Sequence, residues 1–95
     1  MPPQSATITI QNKNANPSGA VEVTPGGRIK FHNKDQAEYI LCLYKYGTTC
    51  ATGTSIVLPT VGSFTVFIKK DDEFNYDLLD PSGTTVVAAA GPIKN

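Results

Sequence analysis

The sequence predicts a single all-β domain, and three observations support this prediction. Hydrophobic and polar residues alternate with a period of two through most of the 95 residues, which is the pattern of half-buried strands rather than of helices. Turn signals rich in glycine and proline separate the alternating segments. Their spacing is typical of a sandwich or small barrel with about seven or eight short strands.

The strands follow one another in chain order. Each of the first three directs a pair of apolar residues to one side, and these pairs are Ile8 and Ile10, Val21 and Val23, and Ile29 and Phe31. In EYILCLYKY, residues 38–46, both sides are apolar, which predicts a central strand covered on both faces, although its tyrosines leave an edge position open. The remaining strands are predicted in SIVLP, SFTVFIKK, FNYDLLD and TTVVAAA.

Two tight turns are predicted by their proline and glycine positions. Residues 24–27, TPGG, have proline second and glycine third, as a type II turn requires because its third residue has a positive φ. Residues 80–83, DPSG, have aspartate first, proline second and glycine fourth, which favours a type I turn. Both are expected to reverse the chain between strands.

Size and charge exclude several classes of protein. A chain of this length forms one domain, residues 1–95, and buries only about 60% of its unfolded surface; residues 1–5 are expected to be a flexible leader. Eight basic residues balance eight acidic ones, so the positive field that non-specific nucleic-acid binding requires is missing. No stretch approaches the ~20 apolar residues of a membrane span, and no signal peptide is recognisable. We expect neither a nucleic-acid nor a membrane partner.

Residues 23–43, VTPGGRIKFHNKDQAEYILCL, resemble the first half of a cupredoxin. They contain a glycine turn, a strand that ends in an apolar-x-Asn pattern, a short loop, and then the position of the first histidine ligand. Residues 62–68, GSFTVFI, are similar to the Gly-x-aromatic strand that leads into the cysteine ligand of that family. The resemblance implies a Greek-key β-sandwich of cupredoxin type. An immunoglobulin-like sandwich is the second choice, because such turn-strand patterns occur there too.

The resemblance also implies where copper ligands would lie. It places the first histidine at Tyr39, the cysteine at Ile68 and the second histidine at Asp71. A blue-copper site takes two histidines and one cysteine, usually with a weak axial methionine, whereas this chain has one histidine, His32, and one methionine, Met1. The residue count excludes copper electron transfer, and no cofactor is expected. Tyr39 and Ile68 are expected to fill the volume of the missing site by packing.

Cys42 and Cys50 are the only cysteines in the chain. A three-residue hairpin loop at residues 45–47 would bring the two sulfurs together, and the bridge would contribute roughly 2.5 kcal/mol on the chain-entropy estimate. A two-residue loop would oppose Leu43 to Cys50 and leave two buried thiols. Both alternatives remain open, and a disulfide would favour an extracytoplasmic location.

Acidic residues cluster at residues 71–73, with Asp77 and Asp80 nearby. They could supply oxygen ligands to calcium or a carboxylate pair to a small hydrolase, but no glycine-containing calcium loop of the recognised type is present. Solvated charge at a hairpin tip explains the cluster as well. His32 alone would have to serve as a catalytic base, and no nucleophile motif accompanies it. We therefore expect no enzyme.

A non-catalytic binding or structural module is the main hypothesis. Tyr44 and Tyr46 share a strand parity and would present an aromatic surface beside Lys45, as surfaces that bind carbohydrate or peptide do. The expected partner is a protein or a glycan, bound through this surface, through loops or through an unpaired strand edge. The alternative is a small hydrolase or a calcium-binding protein that uses residues 71–80.

A copper titration tests the exclusion of electron transfer. Addition of Cu(II) to the purified protein should produce no intense thiolate-to-copper absorption in the visible region, because the chain cannot supply two histidines and a cysteine to one ion. Visible absorption spectra recorded across the titration measure this. A strong blue band would show that the ligand set has been misassigned.

Overall fold

The computed structural model describes residues 3–94, which form nine β-strands and one short 3-10 helix. The strands are β1 (Ser5–Gln11), β2 (Asn14–Asn16), β3 (Val21–Glu22), β4 (Gly27–Asn33), β5 (Tyr39–Lys45), β6 (Thr54–Leu58), β7 (Ser63–Ile68), β8 (Glu73–Leu79) and β9 (Val86–Lys94), and the 3-10 helix is Cys50–Thr52. No α-helix occurs in the described range, and no helix there could cross a membrane. The all-β prediction is confirmed.

The strands form two sheets. One sheet has four strands in the order β2-β1-β4-β7, and the other has five in the order β3-β9-β8-β5-β6. β1 runs parallel to β4, and β3 runs parallel to β9, while the other neighbouring strands are antiparallel. β2 also lies against β9. β2 and β3 therefore close one flank of the sandwich, and β6 and β7 lie at the other.

Alternating residues from the two sheets form one core. The fully buried side chains include Ile8, Ile10, Val23, Ile29, Phe31, Leu41, Leu58, Ile68, Leu78 and Ile93, and Tyr76 is 1% exposed. Phe31 of the four-stranded sheet and Tyr76 of the five-stranded sheet meet edge to face, with 5.0 Å between ring centroids. Such aromatic pairs are favourable beyond their buried area. The apolar residues predicted to share a side in the first three strands are all buried.

β5 lies between β8 and β6, as its apolar character on both sides predicted. Tyr39 and Leu41 are buried on the core side, and Cys42 is buried on the opposite side. The strand is therefore covered on both faces and does not lie at an edge.

Residues 3–5 make backbone contacts with β4 and with the turn that precedes it. The carbonyl of Pro3 accepts a hydrogen bond from the Thr24 N–H at 2.9 Å, and the carbonyl of Gln4 accepts one from the Arg28 N–H at 2.9 Å. Ser5 already pairs with β4. Backbone hydrogen bonds therefore hold residues 3–5 of the expected leader, and Met1 and Pro2 lie outside the described residues.

The two proline-containing turns have the predicted bonds. The Gly27 N–H donates to the Thr24 carbonyl at 2.8 Å, and Gly26 has a φ of 82°, which glycine adopts without strain. The Gly83 N–H donates to the Asp80 carbonyl at 2.8 Å.

The acidic connection after β7 differs from the prediction. A hairpin tip was one explanation of the acidic residues 71–73, but β7 and β8 belong to different sheets. The segment crosses from one sheet to the other through a turn in which the Asp72 N–H donates to the Lys69 carbonyl at 3.1 Å. Alternation predicted both strands correctly, but it carries no information on which sheet each strand joins.

Asn33 at the end of β4 is the buried polar residue of the described chain. Its Nδ2 donates to the carbonyls of Ala37 at 2.8 Å and Pro59 at 3.1 Å, and its Oδ1 accepts the N–H of Asp35 at 2.9 Å. Its own N–H donates to the Gly62 carbonyl at 2.8 Å. One side chain thus joins the β4–β5 and β6–β7 connections, both of which cross between the sheets.

Replacement of Asn33 by alanine should lower the free energy of unfolding by about 3 kcal/mol, because it removes three part-buried hydrogen bonds made by a fully buried side chain. Urea denaturation followed by circular dichroism measures the change. Asn14→Ala is the control, since the Asn14 side chain makes one exposed bond to the Asn12 carbonyl and its loss should cost no more than about 0.5 kcal/mol. Equal unfolding midpoints for the two variants would contradict the assigned role.

Candidate functional site

Tyr39 occupies the position at which the resemblance places a first histidine ligand. The residue is 3% exposed, and its hydroxyl donates to the Asp35 carboxylate at 2.6 Å. The same carboxylate accepts the backbone N–H groups of Asn12 at 2.7 Å and Lys13 at 3.0 Å, two residues with positive φ. Tyr39 therefore packs into the core, and through Asp35 it is connected to the β1–β2 turn.

The electrostatics of this pair suit a structural contact. Burial and the Asp35 carboxylate raise the pKa of Tyr39 to about 12. The hydrogen bond from Tyr39, with those from Lys13 and Asn12, lowers the pKa of Asp35. The phenol thus stays neutral and the carboxylate stays ionised at neutral pH. A neutral phenol that donates a hydrogen bond to a carboxylate is neither a base nor a phenolate ligand.

The other two ligand positions lie far from Tyr39. In the antiparallel pair β4–β7, Gly27 is opposite Ile68 at one end, and His32 is opposite Ser63 at the other. Tyr39 is at the Ser63 end, where β4 leads into β5. Five residues of strand, roughly 17 Å, therefore separate the two ends. The structure does not bring Ile68 and Asp71 together with Tyr39.

The strand that ends beside Tyr39 is β8. Ile40 pairs with Leu79, so the next residue, Asp80, lies at the level of Tyr39. Residues 80–85 connect β8 to β9 at this end of the sheet. A ligand set built around position 39 would draw on β8, whereas the predicted positions Ile68 and Asp71 lie at the other end of β7. β7 and β8 have similar apolar alternation, and only the sheet topology distinguishes them.

The residues around Tyr39 and Asp80 do not form a metal centre either. The Asp80 carboxylate accepts bonds from the Ser82 hydroxyl at 2.8 Å and from the backbone N–H groups of Thr84 and Thr85, which lower the pKa of Asp80. Within residues 3–94, no group of three or more His, Cys, Asp or Glu side chains is arranged to hold a metal ion. The donor set does not fit copper, because the chain has one histidine and both cysteines are bridged.

The disulfide between Cys42 and Cys50 has a Cα–Cα distance of 5.9 Å. Neither of the predicted short loops occurs. Cys42 pairs with Ser55 across the β5–β6 hairpin, and the connection from residue 46 to residue 53 contains the 3-10 helix that begins at Cys50. The bridge therefore joins this helix to β5, because the long loop folds back toward the strand.

His32 lies on β4 with Thr9 and Ser63 as its cross-strand neighbours. It is half-buried, and its Nδ1 is buried without a hydrogen-bond partner in the described part of the chain. Because the core-facing residues Phe31 and Asn33 flank it, His32 is on the outer surface of the four-stranded sheet.

Tyr44 and Lys45 line a cleft of about 450 Å³. Its other lining residues are Leu43, Thr54, Asp71, Asp72, Glu73 and Phe74. The Tyr44 hydroxyl donates to Asp77 at 2.8 Å, and burial together with Asp77 raises the pKa of Tyr44 to about 12. Tyr46 follows the end of β5 and is exposed. The structure thus brings two of the three predicted partner-binding residues to one cleft with the acidic residues 71–73.

Several carboxylates of the acidic region already have partners within the chain. Asp72 accepts the Lys69 N–H at 2.8 Å, Asp77 accepts the Tyr44 hydroxyl, and Asp80 holds the turn that follows β8. These hydrogen bonds give Asp72 and Asp80 a structural role in turns, and they give Asp77 a structural role on the surface formed by β5 and β8.

The most prominent surface feature was missed in the sequence. Residues 46–68 contain no Asp, Glu, Lys, Arg or His, and we call them the neutral segment. They include β6 and β7, the two edge strands of one flank. Of the six exposed large hydrophobic side chains within residues 3–94, five belong to this segment, and they are Tyr46, Val57, Val61, Phe64 and Phe67. The uncharged run was visible in the sequence, but only the topology places both of its strands at edges.

Comparison with known proteins shows the fold. No family model and no curated protein matches the chain. Among solved structures, the M98Q mutant of amicyanin is similar with a TM-score of 0.68 and 8% identity, over 96% of this chain and 83% of that one. Amicyanin from Paracoccus versutus is similar with a TM-score of 0.65 and 9% identity, over 99% and 85% of the two chains. The copper-containing nitrite reductase of Thermus scotoductus matches with a TM-score of 0.65 and 11% identity, over the whole of this chain and 23% of that one.

These similarities and the two-sheet architecture show a cupredoxin-like β-sandwich, rather than the immunoglobulin-like alternative. The chain lacks the copper ligands of that fold. At such low identity, the likeness concerns the fold alone.

Tyr39→Phe should change how stability depends on pH. Folding raises the pKa of Tyr39 from 10.0 to about 12, so its contribution is complete below pH 10 and is lost as the pH rises from 10 to about 12. The lowered pKa of Asp35 stabilises the fold above about pH 4, and this contribution is lost as the pH falls further. In Tyr39→Phe, both slopes should be shallower, and the free energy of unfolding at pH 7 should fall by about 2 kcal/mol.

Urea denaturation across the pH range measures both effects. Tyr46→Phe is the matched control, because Tyr46 is exposed. A pH profile of Tyr39→Phe that is parallel to the wild-type profile would contradict the Tyr39–Asp35 assignment.

Proposed function

We propose that this protein is a non-catalytic binding module, a cupredoxin-like sandwich without a blue-copper site that presents an uncharged strand edge to a protein partner. The observation that carries the proposal is the neutral segment, residues 46–68, which combines two edge strands with five exposed large hydrophobic side chains. Recognition through a strand edge uses backbone hydrogen bonds for affinity and side chains for specificity.

β7 lacks the features that normally protect an edge strand. Monomeric proteins place lysine, proline or a bulge on their edges, so that these edges do not pair with other chains. β7, with the sequence SFTVFI, has neither charge nor proline, and its pairing with β4 is regular over six consecutive residues. Phe67 is 66% exposed on this strand. Such an edge is suited to pair with another strand.

The chemistry of the polar groups supports a non-catalytic role. The phenols of Tyr39 and Tyr44 donate to carboxylates. The alternative function, a small hydrolase or calcium-binding protein that uses residues 71–80, has weaker support, because Asp72 and Asp80 accept hydrogen bonds from their own turns.

A glycan is the second candidate partner. The cleft beside Tyr44 and Lys45 combines aromatic residues with the carboxylates of residues 71–73, and sugars are commonly bound by such combinations of stacking and polar groups. The cleft is lined by none of the residues of β7, so the two candidates can be tested with different variants.

Serine substitutions within the neutral segment should weaken partner capture. Val57→Ser and Phe67→Ser remove exposed apolar side chains, and each should reduce the protein captured from extracts of the source organism by about tenfold. Val86→Ser is the matched control for Val57→Ser, because Val86 is 50% exposed and Val57 is 55% exposed, but Val86 lies outside the neutral segment. Quantitative mass spectrometry of the captured proteins measures the effect.

A Tyr44→Ala/Lys45→Ala variant in the same experiment tests the cleft. Loss of capture in this variant, with retention in Val57→Ser and Phe67→Ser, would show that the partner binds at the cleft and not at the neutral segment. Equal loss in Val86→Ser and Val57→Ser would contradict a specific role of the neutral segment.

A further inference from the structure

We infer that the strand that pairs with β7 comes from a second copy of this chain, in a two-fold symmetric dimer centred on Thr65. The inference rests on the proposed function, since it names the partner of the same strand edge. It follows from the direction of the backbone groups of β7, from the distribution of charge around that strand, and from the side chains that the symmetry would bring together.

Two hydrogen bonds show which backbone groups of β7 face β4. The carbonyl of Ile68 accepts the Gly26 N–H at 2.7 Å, and the carbonyl of Gly62 accepts the Asn33 N–H at 2.8 Å. In a strand, the N–H and C=O of one residue point to the same side, and those of the next residue point to the other side. The even-numbered residues of β7 therefore bond toward β4, and Ser63, Thr65 and Phe67 direct their backbone groups to the open edge.

This arrangement is self-complementary. A two-fold axis perpendicular to the sheet at Thr65 places Thr65 opposite Thr65 of the second copy, and Ser63 opposite Phe67, in antiparallel register. All these residues direct their N–H and C=O outward, and each hydrogen-bonded pair in an antiparallel ladder exchanges two hydrogen bonds. The four-stranded sheets of the two copies would become one continuous sheet. An isologous interface of this kind closes after two subunits, so it gives a dimer rather than a fibre.

The side chains agree with this register on both faces of the sheet. On the outer face, the exposed ring of Phe67 lies beside Ser63 of the second copy. On the inner face, Phe64 lies opposite Val66 of the second copy, and aromatic–β-branched pairs are among the favourable cross-strand pairs. Phe64 is 36% exposed in the single chain, so the pairing would cover part of the apolar surface of the neutral segment.

The charge distribution favours a second copy over a charged partner. At the two-fold axis Thr65 meets its own copy, so a charge at that position would repel itself, and the neutral segment has no charged side chain. The basic residues Arg28 and Lys30 lie on β4. Two β7 strands would separate β4 from its copy, which gives about 14 Å, more than the Debye length of about 8 Å at physiological ionic strength. The formal net charge of zero adds no long-range repulsion between copies.

Two glutamate variants test the dimer with the same change of charge. Thr65 and Thr7 are the cross-strand neighbours of Lys30 on its two sides, and both are exposed. Thr65→Glu places two carboxylates opposite each other at the proposed axis, whereas Thr7→Glu places its carboxylate two strands away from the edge. In both monomers the new carboxylate lies beside Lys30, so neither fold should be disturbed.

Sedimentation velocity over a range of protein concentrations, together with thermal unfolding, gives the answer. We expect wild type and Thr7→Glu to associate as dimers with similar dissociation constants, and Thr65→Glu to associate at least about tenfold more weakly, because like charges would be opposed at the axis. Comparable unfolding temperatures of the two variants would show that the loss of association is not a loss of fold.

A mixing experiment tests the two-fold axis itself. Thr65→Glu and Thr65→Lys should each be monomeric alone, and an equimolar mixture should form a heterodimer, because opposite charges then meet at the axis. Unchanged sedimentation of the mixture would overturn the assignment of the axis to Thr65.

The outcomes also separate this inference from the proposed function. A monomeric wild type at millimolar concentration would overturn the inference, while capture of another protein that depends on Val57 and Phe67 would still support the proposed function. Equal weakening of the dimer by Thr7→Glu and Thr65→Glu would place the contact on another surface. A dimer disrupted by Thr65→Glu alone would support both.

Discussion

The sandwich depends on the buried amide of Asn33. The two connections that cross between the sheets at this end are residues 34–38 and residues 59–62. They are irregular, and part of their backbone hydrogen bonding comes from outside each connection. Asn33 bonds to both of them, through Ala37 and Asp35 in one and through Pro59 in the other. A buried polar group contributes to a unique structure when each of its bonds is made, and here the donor and the acceptor of the amide are both used. The approach of β5 to the core and the start of β7 are thus determined together.

Tyr39 extends this arrangement to the end of the sandwich. It directly follows the connection of residues 34–38, and its hydroxyl donates a hydrogen bond to the Asp35 carboxylate. The N–H of Asp35 in turn donates to the side-chain oxygen of Asn33. The carboxylate then holds the backbone of the β1–β2 turn. A copper centre would join several loops at such a position through metal–ligand bonds. In this chain, an amide, a carboxylate and a phenol join them through hydrogen bonds, and the phenol adds aromatic area to the core.

The sequence predicted the parts of the structure that depend on local pattern. Alternation indicated the buried faces of β1 and β4, and the apolar-x-Asn pattern led to the correct position of Tyr39 at the start of β5. It could not distinguish β7 from β8, because each has regularly spaced apolar side chains and the difference lies in which strand each one meets. The same limit applies to Cys42 and Cys50. Their bridge depends on the path of a long loop that contains a 3-10 helix, and no short-turn register describes that path.

Backbone hydrogen bonds outside its own strand pairings give a physical reason why the neutral segment is ordered although its edges are exposed. At Val61 the segment is bonded to the connection of residues 34–38, since the Val61 N–H donates to the Asp35 carbonyl at 3.3 Å. At Tyr46 it continues the β5–β8 ladder through a bond to the Glu73 carbonyl at 3.0 Å. β6 pairs with β5 and β7 pairs with β4, so each strand is held in an extended form by one neighbour and has its second edge open. Because the ordering of β7 is already accomplished within the monomer, pairing of this edge requires little further loss of conformational entropy. A rigid, uncharged and regular edge is thus already organised for association, and the strand it receives need only match its register.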